Sequence, residues 1–293
     1  MSRLRINGTE LRVLEAGVGD PVVLVHGSAS DYRTWEAQVD SLTPRYRVLR
    51  YSRRYHWPNP PIPEGADYSM TEHVDDLEAL LAWTGAAPAH LVGHSYGGFI
   101  SLLLAMRRPD LVRTLTLAEP PLLSLFVSDP PRPTELLTLF LTRPRTALAI
   151  ARFGIRGVAP AGAAAERGDM EEAMEAFGRA VLGDDAFEGL SDERVEQVMD
   201  NGIAAELLGS GFPPLVPEEV RGVHTPTLLI SAAESPPLFH RLVDGVASLL
   251  PNRERAEIPG ASHVMHEDDP SRFNTHVLDF LDRHSGFEGR ESQ

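Results

Sequence analysis

Gly93-His94-Ser95-Tyr96-Gly97 (GHSYG) fits the pattern Gly-x-Ser-x-Gly, and Gly98 extends it. A serine hydroxyl at its ordinary pKa is a weak nucleophile. It attacks a carbonyl only with a base beside it and donors waiting for the oxyanion. Of eleven histidines, His263 in Pro259-Gly260-Ala261-Ser262-His263 (PGASH) is the best placed base, in a loop between the last strand and the last helix. His266, three residues on, is its rival. His26-Gly27-Ser28 (HGS) follows the apolar run VVLV, so the backbone N–H of Ser28, with that of Tyr96, forms the candidate oxyanion hole. His26 itself reads as structural. His263, His266 and Glu267 do not read as a metal set, because the stretch lacks the helical pattern that would put both rings on one face. The chemistry calls for no metal and no cofactor. One further residue stands out. Thr114 to Pro121 reads TLTLAEPP, a buried strand that ends in a carboxylate, Glu119, then two prolines, with no cation beside it in sequence.

These residues need a frame. Leu11–Glu15, Pro21–His26, Arg47–Tyr51, His90–Val92 and Val112–Ala118 read as strands. Thr71–Trp83 reads as a helix capped by Thr71, and Gly97–Arg108 as an apolar helix with arginines in its last turn, where the dipole favours cations. The run PVVLVH is apolar throughout, as in a strand covered on both faces. Alternation of this kind predicts a parallel sheet with helices on both sides. The strand before Gly93 and the helix after Gly97 make GHSYG a tight strand-to-helix turn that holds the serine clear of the sheet. From about Pro120 to Gly222 no strand is expected. Helical stretches Glu135–Phe153, Asp169–Leu182 and Asp192–Leu208 suggest a cap. The α/β pattern resumes with strand Thr227–Ser231, a helix near His240–Leu250, strand Arg255–Ile258 and helix Pro270–His284. The expected division is a core of residues 1–119 and 223–284, a helical cap of 120–222, and a flexible tail of 285–293.

Composition narrows the class of partner. The 293 residues are 42% hydrophobic and 24% charged, ordinary for a globular chain. The net charge of −15 disfavours a phosphate backbone, so nucleic acid is not expected. Cysteine is absent, which removes disulfides and thiolate metal sites. The first ten residues lack the apolar stretch of a signal peptide, and no apolar run is long enough to cross a bilayer. A cytoplasmic protein with a small-molecule substrate and no membrane partner is expected. The oligomeric state is open.

HGS, GHSYGG and PGASH, in this order and spacing, resemble the α/β-hydrolase superfamily over about residues 10–118 and 223–284. The resemblance implies an α/β-hydrolase fold, a mostly parallel doubly wound sheet with an inserted helical cap. It also implies a catalytic acid, usually after the strand that follows the cap, in a pattern like Gly-x-x-Asp. Here that segment is LISAAES. Aligned on Ala232, the aspartate position falls on Ser235, and Glu234 is one residue off. Some members carry the acid instead at the end of the strand after the nucleophile helix, and zearalenone-type lactonases have a glutamate before proline there. That position is Glu119, so the resemblance implies a Ser95-His263-Glu119 triad, with Glu234 as the alternative acid. The loop YSRRYHWP (Tyr51–Pro58) departs from the D-x-R-G-x-G-x-S of many relatives. Arg53 or Arg54 is a candidate for a substrate carboxylate, or else pairs with nearby acids and holds the loop. Trp57, Trp35, Phe126, Phe140 and Phe153 are candidates for lining an apolar pocket, or else core. The expected activity is a serine hydrolase acting on an ester or lactone of a small, fairly apolar molecule. The alternatives are C–C hydrolysis, acyl transfer, cofactor-free oxygenase or lyase chemistry, or non-enzymatic binding of a small ligand.

Overall fold

The computed structural model describes residues 2–201 and 204–286. Eight strands form one sheet: β1 (Ser2–Ile6), β2 (Thr9–Ala16), β3 (Asp20–Val25), β4 (Tyr46–Tyr51), β5 (Ala89–His94), β6 (Val112–Ala118), β7 (Thr227–Ala232) and β8 (Arg253–Ile258). Their order across the sheet is β1-β2-β4-β3-β5-β6-β7-β8. The hairpin β1–β2 and the β2–β4 pair are antiparallel; every other pair is parallel. Strand β3 shows why its sequence is apolar throughout. Val22 and Leu24 pack into one core layer, while Val23 and Val25 pack into the other.

Helices α1 (Glu36–Leu42), α2 (Met70–Thr84) and α3 (Tyr96–Arg107) belong to the first half. Between β6 and β7 come α4 (Pro133–Thr142), α5 (Pro144–Phe153), a wide turn Gly154–Val158, α6 (Ala159–Glu166), α7 (Met170–Leu182), α8 (Asp184–Glu188), α9 (Asp192–Asp200), α10 (Ala204–Leu208) and α11 (Pro217–Arg221). Then follow α12 (Pro237–Ala247), α13 (Met265–Asp268) and α14 (Pro270–His284). Helices α2, α3 and α12 cover one face of the sheet through Leu77, Phe99 and Val246, and α1 and α14 cover the other through Leu42, Phe273 and Phe280.

The sequence misplaces several boundaries. Helix α2 starts at Met70, and its N-cap is Ser69 rather than Thr71. The stretch Glu135–Phe153 is two helices, because Pro144 has no N–H to continue α4 and instead opens α5. The stretch Asp192–Leu208 also divides, into α9 and α10. Helix α12 begins three residues before His240. The strand β1 was not foreseen; it pairs only with β2 at the sheet's edge. Of the expected tail, residues 287–293 lie outside the described residues. Among the described residues, no helix is long and apolar enough to cross a membrane.

Candidate active site

The site is built at the carboxyl ends of β5, β6 and β8, with β7 between the last two. After β5, Ser95 turns the chain at φ +49°, in a region that side chains rarely adopt, and Tyr96 opens α3. The N–H of Ser95 donates to Ala118 O at 2.8 Å, which ties the turn to β6. The turn must be tight: a Cβ on Gly97 would stand 2.1 Å from Val25 O. The HGS loop presses on the same spot, since a Cβ on Gly27 would come within 3.1 Å of Ser95 Cβ.

Glu119 follows β6 with φ +44°. Its N–H donates to Ile230 O at 3.1 Å, on neighbouring β7. The side chain is fully buried, yet each oxygen has donors. Oε1 accepts from the Ala232 N–H at 2.9 Å. Oε2 accepts from the Ser235 hydroxyl and from His263 Nδ1–H, each at 2.7 Å. Three donors offset the burial of an acceptor that would otherwise be costly. The imidazole of His263 lies against Phe239, with ring centroids 3.9 Å apart. Asp268 fixes the loop beneath it by accepting from both the N–H and the hydroxyl of Ser262 at 2.7 Å. His263 Nε2 is buried and has no hydrogen-bond partner among the described residues. The structure therefore joins Glu119 to His263, and brings His263 and Ser95 to the wall of one cavity, without a hydrogen bond between them.

The other expected residues fall as follows. Ser28, Ser95 and Tyr96 line a common cavity. His26 accepts from the Arg53 N–H at Nε2 and so donates from Nδ1 to Gly27 O, each at 2.9 Å; burial holds it neutral, well below the usual histidine range. His266 is buried against Thr34 Oγ1 at 2.8 Å, stacked between His94 and Trp35. Glu234 is exposed and makes no side-chain bond to His263. Arg53 does not reach the cavity. It is buried, donating to Gly27 O at 2.9 Å, which also accepts from His26, and to the Tyr68 hydroxyl at 2.8 Å. Arg54 chelates Asp76 and reaches Glu72. Trp57 stacks on Tyr32, with Arg33 3.8 Å above its ring, and its N–H donates to Asn201. Trp35 is core. Phe126 packs on Gly245 and under Arg143, away from Ser95. Phe140 is exposed, and Phe153 lines the cavity.

Two cavities meet at Ser28 and Ser95. The larger, about 460 Å³, is walled by Leu123, Val127, Ile150, Phe153, Phe212 and Phe239, a size suited to a small organic molecule. The smaller, about 70 Å³, lies beside His263 between Met174, Phe177, Leu190 and Arg194. Arg194 is paired with Glu267 at 3.0 Å. One residue that sequence reasoning missed stands in the larger cavity. Glu206, from α10, accepts from the Ser28 hydroxyl at Oε1, 3.0 Å away, and lies 3.7 Å from Arg53. Its Oε2 is buried with no partner among the described residues. Burial raises its pKa, against the pull of Arg53. Nothing in a short AAELL segment signals such a role.

A mostly parallel sheet with a serine at a strained strand-to-helix turn, and an imidazole–carboxylate pair on the neighbouring strand ends, defines the α/β-hydrolase architecture. The chain belongs to the Alpha/beta hydrolase family, whose model matches residues 22–276. It is 32% identical over 122 residues to the uncharacterized hydrolase YraK of Bacillus subtilis, a match that spans 42% of this chain and 45%, less than half, of that one. It is 25% identical to epoxide hydrolase 3 of Xenopus tropicalis, over 95% of this chain and 77% of that one. Among solved structures it is similar in fold to the enol-lactonase of Burkholderia xenovorans, with a TM-score of 0.74 and 22% identity over 96% of this chain and all of that one.

Proposed function

We propose that this chain is a serine hydrolase that cleaves an ester or lactone of a small, fairly apolar molecule through an acyl-enzyme on Ser95. The observation that carries the reading is the 2.7 Å bond from His263 Nδ1–H to a fully buried Glu119. It leaves Nε2 as the basic nitrogen, at the wall of the Ser95 cavity. In the reaction Ser95 Oγ attacks the carbonyl and passes its proton to His263 Nε2. Glu119 holds the ring's orientation and stabilises the imidazolium. The N–H groups of Ser28 and Tyr96 receive the oxyanion; that of Tyr96, at the start of α3, has no carbonyl four residues back to bond. The protonated imidazole then gives its proton to the leaving oxygen, and water activated by the same nitrogen releases the acid. In a lactone the leaving oxygen stays tethered to the acyl group. The apolar walls of the larger cavity select an uncharged body, and residues 120–222 act as the cap that supplies them.

The test is the rate at which a fluorophosphonate labels Ser95, followed by intact mass. The expected result is fast labelling of the parent and of Glu234→Gln, and a loss of roughly 10³-fold or more in Glu119→Gln, in which the ring loses its orienting acceptor. Equal slowing by both variants, or no labelling of the parent, overturns the reading.

A further inference from the structure

The outer face of the inserted helices is apolar and open. On α4, Leu137, Phe140 and Leu141 are 59%, 60% and 73% exposed; on α5, Leu148 is 69% exposed; on the turn that follows, Ile155 is 73% exposed. The α4 residues fall on one face by helical spacing, and Leu148 and Ile155 on one face of the next helix and its turn. Isolated exposed side chains are common, but five large ones on a continuous helical pair are not. The inner side of the same segment, at Ile150, Phe153 and Gly154, walls the larger cavity beside Ser95.

Charge identifies what covers this face. Residues 132–158 hold five arginines (Arg132, Arg143, Arg145, Arg152 and Arg156) against one glutamate, Glu135, with no lysine or aspartate, a net +4 within a chain of −15. All five arginines are exposed; Arg132 acts electrostatically on Glu135, Arg143 lies 5.6 Å over the Phe126 ring, and among the described residues none is within 4 Å of a carboxylate. Leucine and phenylalanine interleaved with unpaired arginine on a helical surface is the composition of an interfacial helix. A second copy docked face to face would set +4 against +4. An anionic lipid surface takes both the charge and the apolar side chains.

We propose that α4, α5 and the turn to Ile155 form a docking surface for an anionic lipid bilayer, which the protein meets peripherally and from which apolar molecules reach the cavity on the other side of the same helices. The whole-chain charge predicts repulsion from such a surface. The local charge reverses this within a Debye length, about 10 Å at moderate salt. The binding step does not depend on the proposed hydrolysis, so the two fail separately.

The test is co-sedimentation with vesicles of ether-linked phosphatidylcholine, alone or mixed with ether-linked phosphatidylglycerol, so that no ester bond is present. The parent is expected to pellet with the anionic vesicles only, and to be released by salt. The variant R143Q/R145Q/R152Q/R156Q should lose about fivefold in affinity per arginine. The variant F140S/L141S/L148S should lose about tenfold or more by forfeiting apolar burial. All seven side chains are exposed, so near-ultraviolet circular dichroism and fluorophosphonate labelling should match the parent. No binding by the parent, equal binding to both vesicle types, or a lipid-free dimer that the apolar variant dissolves overturns the proposal.

Discussion

Glu119 pays for its place with a backbone at φ +44°, a conformation that costs an ordinary side chain of order 1 kcal/mol or more and persists where the surroundings impose it. Here its N–H on Ile230 and its carboxylate on Ala232 impose it. The position to which the resemblance assigns an aspartate holds Ser235, and its hydroxyl bonds the Glu119 carboxylate. Acid and hydroxyl thus meet from neighbouring strand ends beside one imidazole. The expected consequence is a partial rescue. Glu119→Ser should remove nearly all Ser95 labelling, and adding Ser235→Asp should restore at least about tenfold, since one good charged hydrogen bond is worth about that factor. A double variant no faster than the single one would refute the idea that either strand end can carry the acid. At this scale Ser95 and His263 were legible because their flanks are: minimal residues around the serine, a strand before and a helix after the histidine. Glu119 was legible as a carboxylate at a strand mouth, but its bond to Ser235 was not, because 116 positions separate them. Arg53, Trp57 and Phe126 show the converse. Residue type made them candidates for the pocket, and only three-dimensional partners place them under Gly27, on Tyr32 and against Gly245.

At the scale of elements, the strands and flanking helices were legible to within a few residues, since buried parallel strands announce themselves by apolar runs. The inserted helices were legible in type and less so in extent, because Pro144 and the step after Asp200 divide what periodicity joins. What holds them to the sheet was not legible at all. Asn201, at the end of α9, is buried; it donates to Asp31 at 2.6 Å and accepts from the Trp57 N–H at 2.8 Å. Arg33 reaches Asp200 at 2.9 Å, and Glu206 takes the Ser28 hydroxyl. Of these, the Asn201 contact is the one that burial makes costly to break. Asn201→Ala should therefore raise hydrogen exchange across α9 and α10 by about tenfold or more while β5, β6 and β7 stay protected, because local opening draws on local contacts. Uniform exchange across insert and sheet would show that the two unfold together and that Asn201 holds nothing in particular.

Among the described residues, taken over the whole molecule, buried histidines outnumber buried glutamates as titrating groups. His26, His56, His73, His94 and His266 are pushed well below 6.5, chiefly by burial, and His90 to about 4 for the same reason. Each is neutral when folded and takes up a proton below about 6.5 when unfolded. Their contribution to stability is complete above that pH and is lost as pH falls. Glu206 and Glu267, raised by burial, act in the opposite sense, but they are two against six. The denaturant midpoint should fall between about pH 7.5 and about pH 5.5, with the unfolding free energy dropping by at most about 1.4 kcal/mol per pH unit for each histidine. A level or rising midpoint would refute this account. Composition gave the total charge but not its segregation onto one helical pair, since a sum carries no positions. The sheet order has a last consequence. Because β6 and β7 pair directly and in parallel, in register from Leu115–Thr227 to Ala118–Ile230, the chain leaves at the carboxyl end of β6 and re-enters at the amino end of the next strand. An excursion whose two ends are fixed on paired strands gains little entropic cost when it lengthens. The stretch that walls the cavity can thus be grafted, lengthened or replaced as a unit, while the strands on either side keep Ser95, His263 and Glu119 in place. The shape of the cavity and the Ser95-His263-Glu119 cluster can therefore change on separate stretches of one sequence.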